Sequence, residues 1–349
     1  VHGSTVNMRK LVVTRLSSNF RAATKVVTAP IPKPSEGQVL IRNALAGVNA
    51  SDLNYSAGAY LPGVSPPFDA GFEALGVVEE TGPEVKGVRV GQPVAVMSFG
   101  AFAEFQTVPA KHLIPVPELD ARYLPLLVSG LTASVALSEV GQMRSGETVL
   151  VTAAAGGTGQ FAVQLAHQAG NHVIGTCSSD KKAAFLRELG CDRVVNYKRE
   201  DLFEVLRSEY PSGVDVVYEC VGGPLFEAAV NNLATHGRLV VIGMVSGYKD
   251  QSAWRAKPTE GTPLPAKLLR KSASVRGFFL NDFMPQWPEH LGRLMRMVKE
   301  GTLKSGVDPT EFHGLEAVAD AVDHMYEGKN MGKVVVQLGE PSAGTRSKL

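Results

Sequence analysis

The stretch Val149 to Ala166, VLVTAAAGGTGQFAVQLA, places small residues and glycines between an apolar run typical of a strand and one typical of a helix. Aligned on its last glycine, it gives the G-x-G-x-x-G pattern with alanine in the first place. The second glycine would let the backbone approach a pyrophosphate, the third would let helix and strand pack closely, and the helix N-terminus would bind negative charge. The pattern alone is weak, but its strand-helix-strand context predicts a dinucleotide site. The predicted cofactor contacts here are Gly156, Gly157, Thr158 and Gly159.

The end of the next predicted strand, GTCSSDKK, bears on which dinucleotide binds. A free ribose 2'-hydroxyl calls for Asp or Glu at this point, whereas a 2'-phosphate is repelled by a carboxylate. Ser178 and Ser179 offer hydroxyls and Lys182 offers a positive charge, which favours NADPH over NADH. Asp180 argues the other way, unless it serves as the N-terminal cap of the following helix.

The composition indicates a globular chain of about two domains. Of 349 residues, 44% are hydrophobic and 20% are charged, with 36 glycines and 21 prolines. A net charge of +1 gives no electrostatic reason to expect nucleic acid or an anionic membrane as partner. The three cysteines form no short-spaced pair, which indicates neither a disulfide framework nor a zinc ribbon and fits a reducing compartment. We also expect no membrane span, because no apolar run reaches roughly 18 residues. A small-molecule substrate is therefore favoured.

The last three residues, Ser347-Lys348-Leu349, match the address read by the peroxisomal import receptor. We therefore expect a peroxisomal location and that receptor as a partner. The alternative is a solvated tail.

Two different patterns divide the chain. From Met8 to about Pro125, short β-type runs are cut by Gly and Pro, which predicts an all-β, barrel-like domain. From about Ser129, apolar strands alternate with helical stretches, which predicts a doubly wound parallel sheet. A last helix and the strand GKVVVQLG are expected to return to the first domain. The predicted domains are 1–128 with 303–349, and 129–302.

The segment 245–272 has little periodicity and follows the strand RLVVIGM, so it begins at the sheet edge where ligands of such folds bind. We expect it near the substrate, with aromatic side chains along an alkyl chain and basic ones meeting a carboxylate. A solvated loop is the alternative. The side chains in question are Tyr248, Trp254, Arg255, Lys257 and Lys267, and the predicted cofactor contacts in this region are Gly243, Ser246 and Tyr248.

Several motifs occur together in one order: GVNASD, GFEALGVVEETG, SGLTASVAL, AAAGGTGQFAVQLA, VDVVYECVGG, GRLVVIG and GKVVV. The chain thereby resembles the medium-chain dehydrogenase/reductases of the quinone oxidoreductase and enoyl reductase type. The resemblance implies an α/β fold, with a GroES-like β-barrel catalytic domain and a Rossmann domain that carries a doubly wound parallel sheet. It also implies NADPH-dependent reduction of the carbon-carbon double bond of α,β-unsaturated ketones, with 15-oxo-prostaglandins as the substrate class, and it suggests a homodimer. The alternatives are an NADPH quinone oxidoreductase and a non-catalytic nucleotide- or RNA-binding relative.

The zinc-dependent members of this superfamily differ from the chain at their metal ligands. They have Cys where this chain has Asn49 and His where it has Phe72, and the one carboxylate of Glu73 cannot make a zinc site. We therefore predict no metal. Hydride addition to an enone leaves an enolate, which a hydrogen-bond donor can stabilise and a proton can quench.

The resemblance assigns further roles residue by residue. Related enoyl reductases have a proton-donating Tyr eleven residues after the Asn of N-x-S-D, which here leads from Asn49 to Tyr60, with Tyr55 as the nearby competitor. Asn49 is counted with Tyr60 in the catalytic site. Each assignment below has packing as its alternative. Thr132, Gly277, Phe278 and Phe279 are expected near the nicotinamide, Tyr197 near the adenosine phosphate, and Asn330 at the site from the chain's tail.

Overall fold

The computed structural model describes residues 6–255 and 261–339. The chain forms two compact units, Val1–Leu127 with Val307–Leu349, and Val128–Gly306. The unit boundaries thus fall after residues 127 and 306, against predicted boundaries after 128 and 302. Ser347, Lys348 and Leu349 lie outside the described residues.

The first unit consists mainly of short strands. In order, the elements are β1 (Asn7–Val13), α1 (Phe20–Ala23), β2 (Thr24–Pro30), β3 (Gln38–Gly47), α2 (Ser51–Ser56), β4 (Phe68–Asp69), β5 (Glu73–Thr81), β6 (Pro93–Met97), β7 (Phe105–Pro109) and β8 (Ile114–Pro115). The two short helices correct the expectation of β structure alone. The side chain of Asn19 caps α1 by accepting from the amide of Ala22.

The second unit alternates strands and helices. In order, they are α3 (Val128–Val135), β9 (Thr148–Val151), α4 (Gly159–Gln168), β10 (His172–Cys177), α5 (Asp180–Glu188), β11 (Arg193–Asn196), α6 (Leu202–Glu209), β12 (Val214–Glu219), α7 (Gly223–Asn231), β13 (Leu233–Val241), α8 (Leu264–Leu269), β14 (Ser274–Gly277) and α9 (Trp287–Lys299). The strands are parallel in the order β11-β10-β9-β12-β13-β14. This is the Rossmann order, so the predicted doubly wound sheet is confirmed.

The chain then returns to the first unit through β15 (Phe312–His313), α10 (Val318–Tyr326) and β16 (Val335–Gln337). β16 pairs antiparallel with β3, and β3 pairs on its other side with β5. These three strands belong to a seven-stranded sheet with a core that includes Val39, Ile41, Ala74 and Val78. The ends of β3, β5 and β16 are thereby brought together, and this fixes the site described below.

The segment 245–272 has more regular structure than its sequence predicts. It contains 3₁₀ turns at Val245–Gly247 and Ser252–Trp254, and it ends in α8. Lys257 is among the residues 256–260 that lie outside the described ranges.

One stretch among the described residues, Ala121–Val140, is long and apolar enough by composition to cross a membrane. It corrects the expectation that no run would reach that length. Its most apolar window is 78% buried within the protein, which is the burial of a core segment.

Candidate active site

The glycine-rich turn joins β9 to α4. A Cβ atom added at Gly159, the first residue of α4, would lie 2.4 Å from the carbonyl oxygen of Ala153, so only glycine allows this strand and helix to approach so closely. Thr158, the residue before α4, makes no capping hydrogen bond with its side chain. Its hydroxyl instead donates to the carbonyl of Ser129 and lies 2.5 Å from the hydroxyl of Tyr218.

This turn fits the pyrophosphate of a dinucleotide. A ten-residue helix starts here with no side-chain cap, so the positive end of its dipole is available to an anion. Gly156 and Gly157 are half-buried and present backbone in front of that helix. The fold and the turn together define the class of protein: a dinucleotide-binding protein with a Rossmann unit.

The ends of β10 and β11 lie side by side beyond the glycine turn. Cys177 is paired with Asn196, and the amide of Tyr197 donates to the carbonyl of Cys177 at 3.1 Å. The cap of α5 is Ser179, whose hydroxyl accepts from the amide of Lys182, so the expectation that Asp180 caps the helix is wrong. The reason is that Asp180 already has helical conformation as the first residue of α5. Ser178 is half-buried beside them and Tyr197 is 45% exposed.

Asp180 has partners from the end of β11. Its carboxylate accepts from the guanidinium of Arg199 at 2.7 Å and from the side-chain amide of Asn196 at 3.3 Å. Both charged side chains are mostly exposed, Asp180 at 64% and Arg199 at 68%. Sequence reasoning missed Arg199, although its place three residues after a strand end is where such a charge would be sought.

The predicted contacts after β13 lie among packed aromatic rings. Tyr248 is buried, its hydroxyl accepts from the amide of Met244 at 2.9 Å, and its ring stacks on Trp254 with centroids 6.0 Å apart. An added Cβ at Gly243 would lie 3.1 Å from the Tyr248 hydroxyl. Ser246 donates to the carbonyl of Val221 at 2.6 Å. The structure thus brings these three predicted residues together.

The predicted nicotinamide residues of the second unit have different surroundings. Thr132 lies in α3 and is 8% exposed. Gly277, the last residue of β14, is exposed, and an added Cβ there would meet nothing within 4 Å. Phe278 stacks on Phe283 with ring centroids 5.2 Å apart, while Phe279 is exposed. All of these assignments stay predictions.

In the first unit, the ends of β3, β5 and β16 bring together a buried polar cluster of Asn49, Glu73 and Lys333. The ammonium of Lys333 lies 2.5 Å from Oε1 of Glu73 and donates to Oδ1 of Asn49 at 2.6 Å, and Nδ2 of Asn49 donates to the same Glu73 oxygen at 3.0 Å. Asn49 is 8% exposed, Glu73 0% and Lys333 1%. A Cβ at Gly47 would fall 2.3 Å from Glu73 Oε1, so glycine is required there.

This cluster does not fit zinc. The Glu73 oxygen that would face a cation already accepts from an ammonium group, and Asn49 and Phe72 supply no Cys or His ligand. Within residues 6–255 and 261–339, no three His, Cys, Asp or Glu side chains converge into a possible metal site. Lys333 is, like Arg199, a residue of the candidate site that sequence reasoning missed. The sequence signal for it was a charged residue directly before the apolar run of the predicted strand GKVVV.

Asp52 lies beside this cluster in α2. Its Oδ2 accepts from the backbone amide of Asn49 at 2.7 Å, and the residue is 4% exposed. Burial raises the pKa of the Asp52 carboxyl to about 7, against the opposing effects of the Asn49 hydrogen bond and the charge of Lys333. Asp52 also lines a small cavity together with Tyr55, Phe68 and Phe99.

Aromatic rings surround Tyr55, and one of them belongs to the other candidate, Tyr60. Tyr55, in α2, lies edge-on to Tyr60 with ring centroids 5.4 Å apart, and it stacks on Phe72 at 6.3 Å and meets Phe99 edge-on at 5.0 Å. Burial, followed by the charge of Asp52, raises the pKa of Tyr55 to about 12. Tyr60 follows α2 in a turn and is half-buried. The packing role expected of Tyr55 agrees with these contacts, and the role of Tyr60 stays a prediction.

The tail of the chain is fixed to the barrel close to the same cluster. Asn330 is 9% exposed and donates to the carbonyl of Gly332 at 3.0 Å. The hydroxyl of Tyr326, at the end of α10, donates to the carbonyl of Ala50 at 2.7 Å. These hydrogen bonds hold the segment in place, and Asn330 precedes Lys333 by three residues in it.

Comparison with known proteins agrees with this architecture. A family model described as "Zinc-binding dehydrogenase" matches residues 157–297, and one described as "Alcohol dehydrogenase GroES-like domain" matches residues 35–118. Prostaglandin reductase-3 of Bos taurus is 55% identical over 347 residues, and the aligned region covers 97% of this chain and 91% of the bovine protein. A probable quinone oxidoreductase of Leishmania amazonensis is 52% identical over 334 residues, covering 95% and 98%.

Among solved structures, a mycobacterial protein in complex with NADPH superimposes with a TM-score of 0.82 at 29% identity, covering 95% of this chain and 99% of its own. The chain belongs to the medium-chain dehydrogenase/reductase family. It is an NADPH-dependent oxidoreductase, which confirms the predicted fold class, cofactor and enzymatic nature against the non-catalytic alternative.

Proposed function

We propose that this enzyme reduces the carbon-carbon double bond of α,β-unsaturated ketones, with long-chain lipid enones such as 15-oxo-prostaglandins as its substrate class. The 13,14-dihydro compound is then the product. The observation that carries the proposal is the Asn49–Glu73–Lys333 cluster, in which an ammonium holds the carboxylate that a metal would need. Without a Lewis acid, hydrogen-bond donors must stabilise the developing charge, and an enolate suits them better than a localised alkoxide. Similarity to Prostaglandin reductase-3 supports the lipid substrate.

The residues divide the work between binding and proton delivery. NADPH, when bound, supplies a hydride to the β-carbon of the enone. The glycine turn and the N-terminus of α4 hold the pyrophosphate, and the residues after β10 and β11 hold the 2'-phosphate. Tyr60 stabilises the enolate by hydrogen bonding and gives a proton to the α-carbon, so that hydride and proton together saturate one double bond. Asn49 acts as a positioning residue for Glu73 and Lys333. Its side-chain nitrogen donates to the Glu73 carboxylate, and its side-chain oxygen accepts from the Lys333 ammonium.

The test is turnover of a panel of enones with NADPH and with NADH. We expect NADPH-dependent loss of enone absorbance, a saturated ketone as product, and higher kcat/KM for long-chain acidic enones than for small neutral ones. Product analysis that shows an allylic alcohol would contradict the proposal, because it would place the hydride on the carbonyl carbon.

The second candidate is an NADPH quinone oxidoreductase, favoured by the name of the Leishmania amazonensis relative. The same cofactor site would serve both reactions. Parallel assays with an enone and a quinone decide between them, and a kcat/KM for quinones well above that for every enone would favour this candidate.

We also propose a peroxisomal location and a homodimer. The C-terminal Ser347-Lys348-Leu349 supports the first, and a fluorescent fusion with and without these three residues tests it. The edge position of β14 in its sheet supports pairing with a second copy. Light scattering at several protein concentrations tests the second, with a monomer mass throughout as the contrary result.

A further inference from the structure

The carboxylate of Asp180 lies at the ends of β10 and β11, where we expect the 2'-phosphate of NADPH to bind. Asp180 comes three residues after β10, and a carboxylate near this position accepts ribose hydroxyls and repels a phosphate. Yet the enzyme uses NADPH. The contacts of Asp180 resolve this conflict.

Two residues from the end of β11 hold Asp180. Arg199 pairs with one carboxylate oxygen at 2.7 Å, and the side chain of Asn196 donates to the other at 3.3 Å. Asn196 is itself 8% exposed and fixed, since its Oδ1 accepts from the amide of Lys198 at 3.2 Å. The carboxylate of Asp180 is therefore held toward β11, and the positive charge of Arg199 balances its negative charge.

Two other basic side chains of this region, Arg193 and Lys182, have other partners or other expected roles. The guanidinium of Arg193 is engaged by Glu200 and Glu209, at 2.7 Å from each. Lys182 belongs to the first turn of α5 and is the predicted phosphate ligand. An exposed ion pair such as Asp180 with Arg199 contributes little to folding, so its effect should appear in binding.

We infer that Arg199 sets the preference for NADPH by neutralising Asp180, so that the carboxylate does not repel the 2'-phosphate. This deepens the cofactor part of the proposed function and rests on it. Arg199 is thus a positioning residue that acts through Asp180. Without it, the unpaired carboxylate would repel the phosphorylated cofactor but not the unphosphorylated one, whose ribose hydroxyl it is able to accept.

The experiment measures dissociation constants of NADPH and NADH for four proteins, by fluorescence of the bound nicotinamide. Arg199→Ala should weaken NADPH about tenfold and leave NADH binding as tight as in the wild type or tighter, and Asp180→Asn/Arg199→Ala should recover most of the NADPH loss. Asp180→Asn alone should change NADPH binding little. Arg199→Lys should retain the preference, because the positive charge remains. The loss in Arg199→Ala should shrink as salt is raised.

Arg207→Ala is the matched control, since Arg207 is also exposed and paired with an acidic residue, Glu204, but lies on α6. It should leave both constants unchanged. A loss of NADPH affinity that persists in the double variant would mean that Arg199 contacts the phosphate directly, and the inference would be overturned. Unchanged binding in Arg199→Ala would overturn it as well. In contrast, a wild-type protein that fails to bind NADPH, or binds it without reducing any enone, would count against the proposed function.

Discussion

Two phenols, those of Tyr55 and Tyr60, lie within one ring contact of each other, and we expect Tyr60 to be the one that delivers a proton. Tyr55 is packed among Phe72, Phe99 and Tyr60, and burial together with the charge of Asp52 raises the pKa of its hydroxyl to about 12. Such a group gives up its proton reluctantly. Tyr60 lies in the turn beyond α2, in the position that the family resemblance assigns to the donor.

Tyr60→Phe should therefore lower kcat for an enone by about a hundredfold or more, because only the hydroxyl is lost. The NADPH dissociation constant should stay nearly unchanged, since the residues proposed to hold the pyrophosphate and the 2'-phosphate belong to the second unit. Tyr55→Phe is the matched control and should retain most activity. Steady-state kinetics of both variants decide the matter, and an unaffected kcat in Tyr60→Phe would return this residue to a packing role.

Lys182→Ala should weaken NADPH by about 1.5 to 3 kcal/mol and NADH hardly at all, because the side chain is expected to meet a phosphate that only NADPH carries. Lys181→Ala, one residue earlier in α5 and exposed, serves as control. Titration calorimetry with both cofactors gives the two differences. Equal losses for NADPH and NADH would remove Lys182 from the 2'-phosphate site.

At the scale of elements, the glycine turn shows how closely β9 and α4 must approach. Gly159→Ala should destabilise the second unit and abolish tight NADPH binding, because its Cβ would fall 2.4 Å from the Ala153 carbonyl oxygen and 2.7 Å from the Ala154 Cα. Gly292→Ala in α9 is the control, since its Cβ would meet only the end of the Arg296 side chain at 3.7 Å. Replacing that helical glycine should stabilise by up to about 1 kcal/mol. Thermal unfolding with and without NADPH measures both effects, and similar melting behaviour of the two variants would contradict this account.

The elements also mark how far sequence reasoning reaches. The parallel sheet was predictable, because near-continuous apolar strands separated by helices admit few other arrangements. The Asn49–Glu73–Lys333 cluster was not, because it depends on β16 pairing with β3 more than 280 residues away in the chain, as the separation of 284 between Asn49 and Lys333 shows. The N-cap of α5 is Ser179, one residue before Asp180, which the sequence suggested. Ser and Asp are equally good caps, so the sequence alone does not distinguish these two neighbours.

At the scale of the whole molecule, Asp52 makes the stability of the chain depend on pH. Its pKa rises from 3.8 to about 7 on burial, so the folded state favours the protonated form. The stability that this provides is fully present below pH 3.8 and is lost as pH rises through 7. Asp52→Asn should therefore gain stability relative to the wild type as pH rises from about 4 to 7, by at most about 1.4 kcal/mol per pH unit.

Denaturant unfolding of both proteins at several pH values measures this difference, followed by hydrogen exchange in β3 and β5 because both tryptophans, Trp254 and Trp287, belong to the second unit. The comparison with the variant is needed because other groups act in the same range. Burial lowers the pKa of His290, for example, and so removes stability as pH falls. A difference that does not change with pH would show that Asp52 stays ionised in the folded state.

The family model's description as zinc-binding makes metal content a property of the whole molecule to be tested directly. We expect no stoichiometric zinc in the purified protein and no loss of enone reduction on prolonged treatment with a chelator. The reason lies in the donor set: Lys333 places a positive charge 2.5 Å from the only carboxylate of the cluster, and a divalent ion there would face that charge with no Cys or His to bind it. Elemental analysis and activity after chelation give the result, with a zinc-dependent alcohol dehydrogenase treated in parallel. Zinc at one atom per chain, lost together with activity on chelation, would mean that Lys333 moves aside and that the proton-donor mechanism must be replaced by one that uses a Lewis acid.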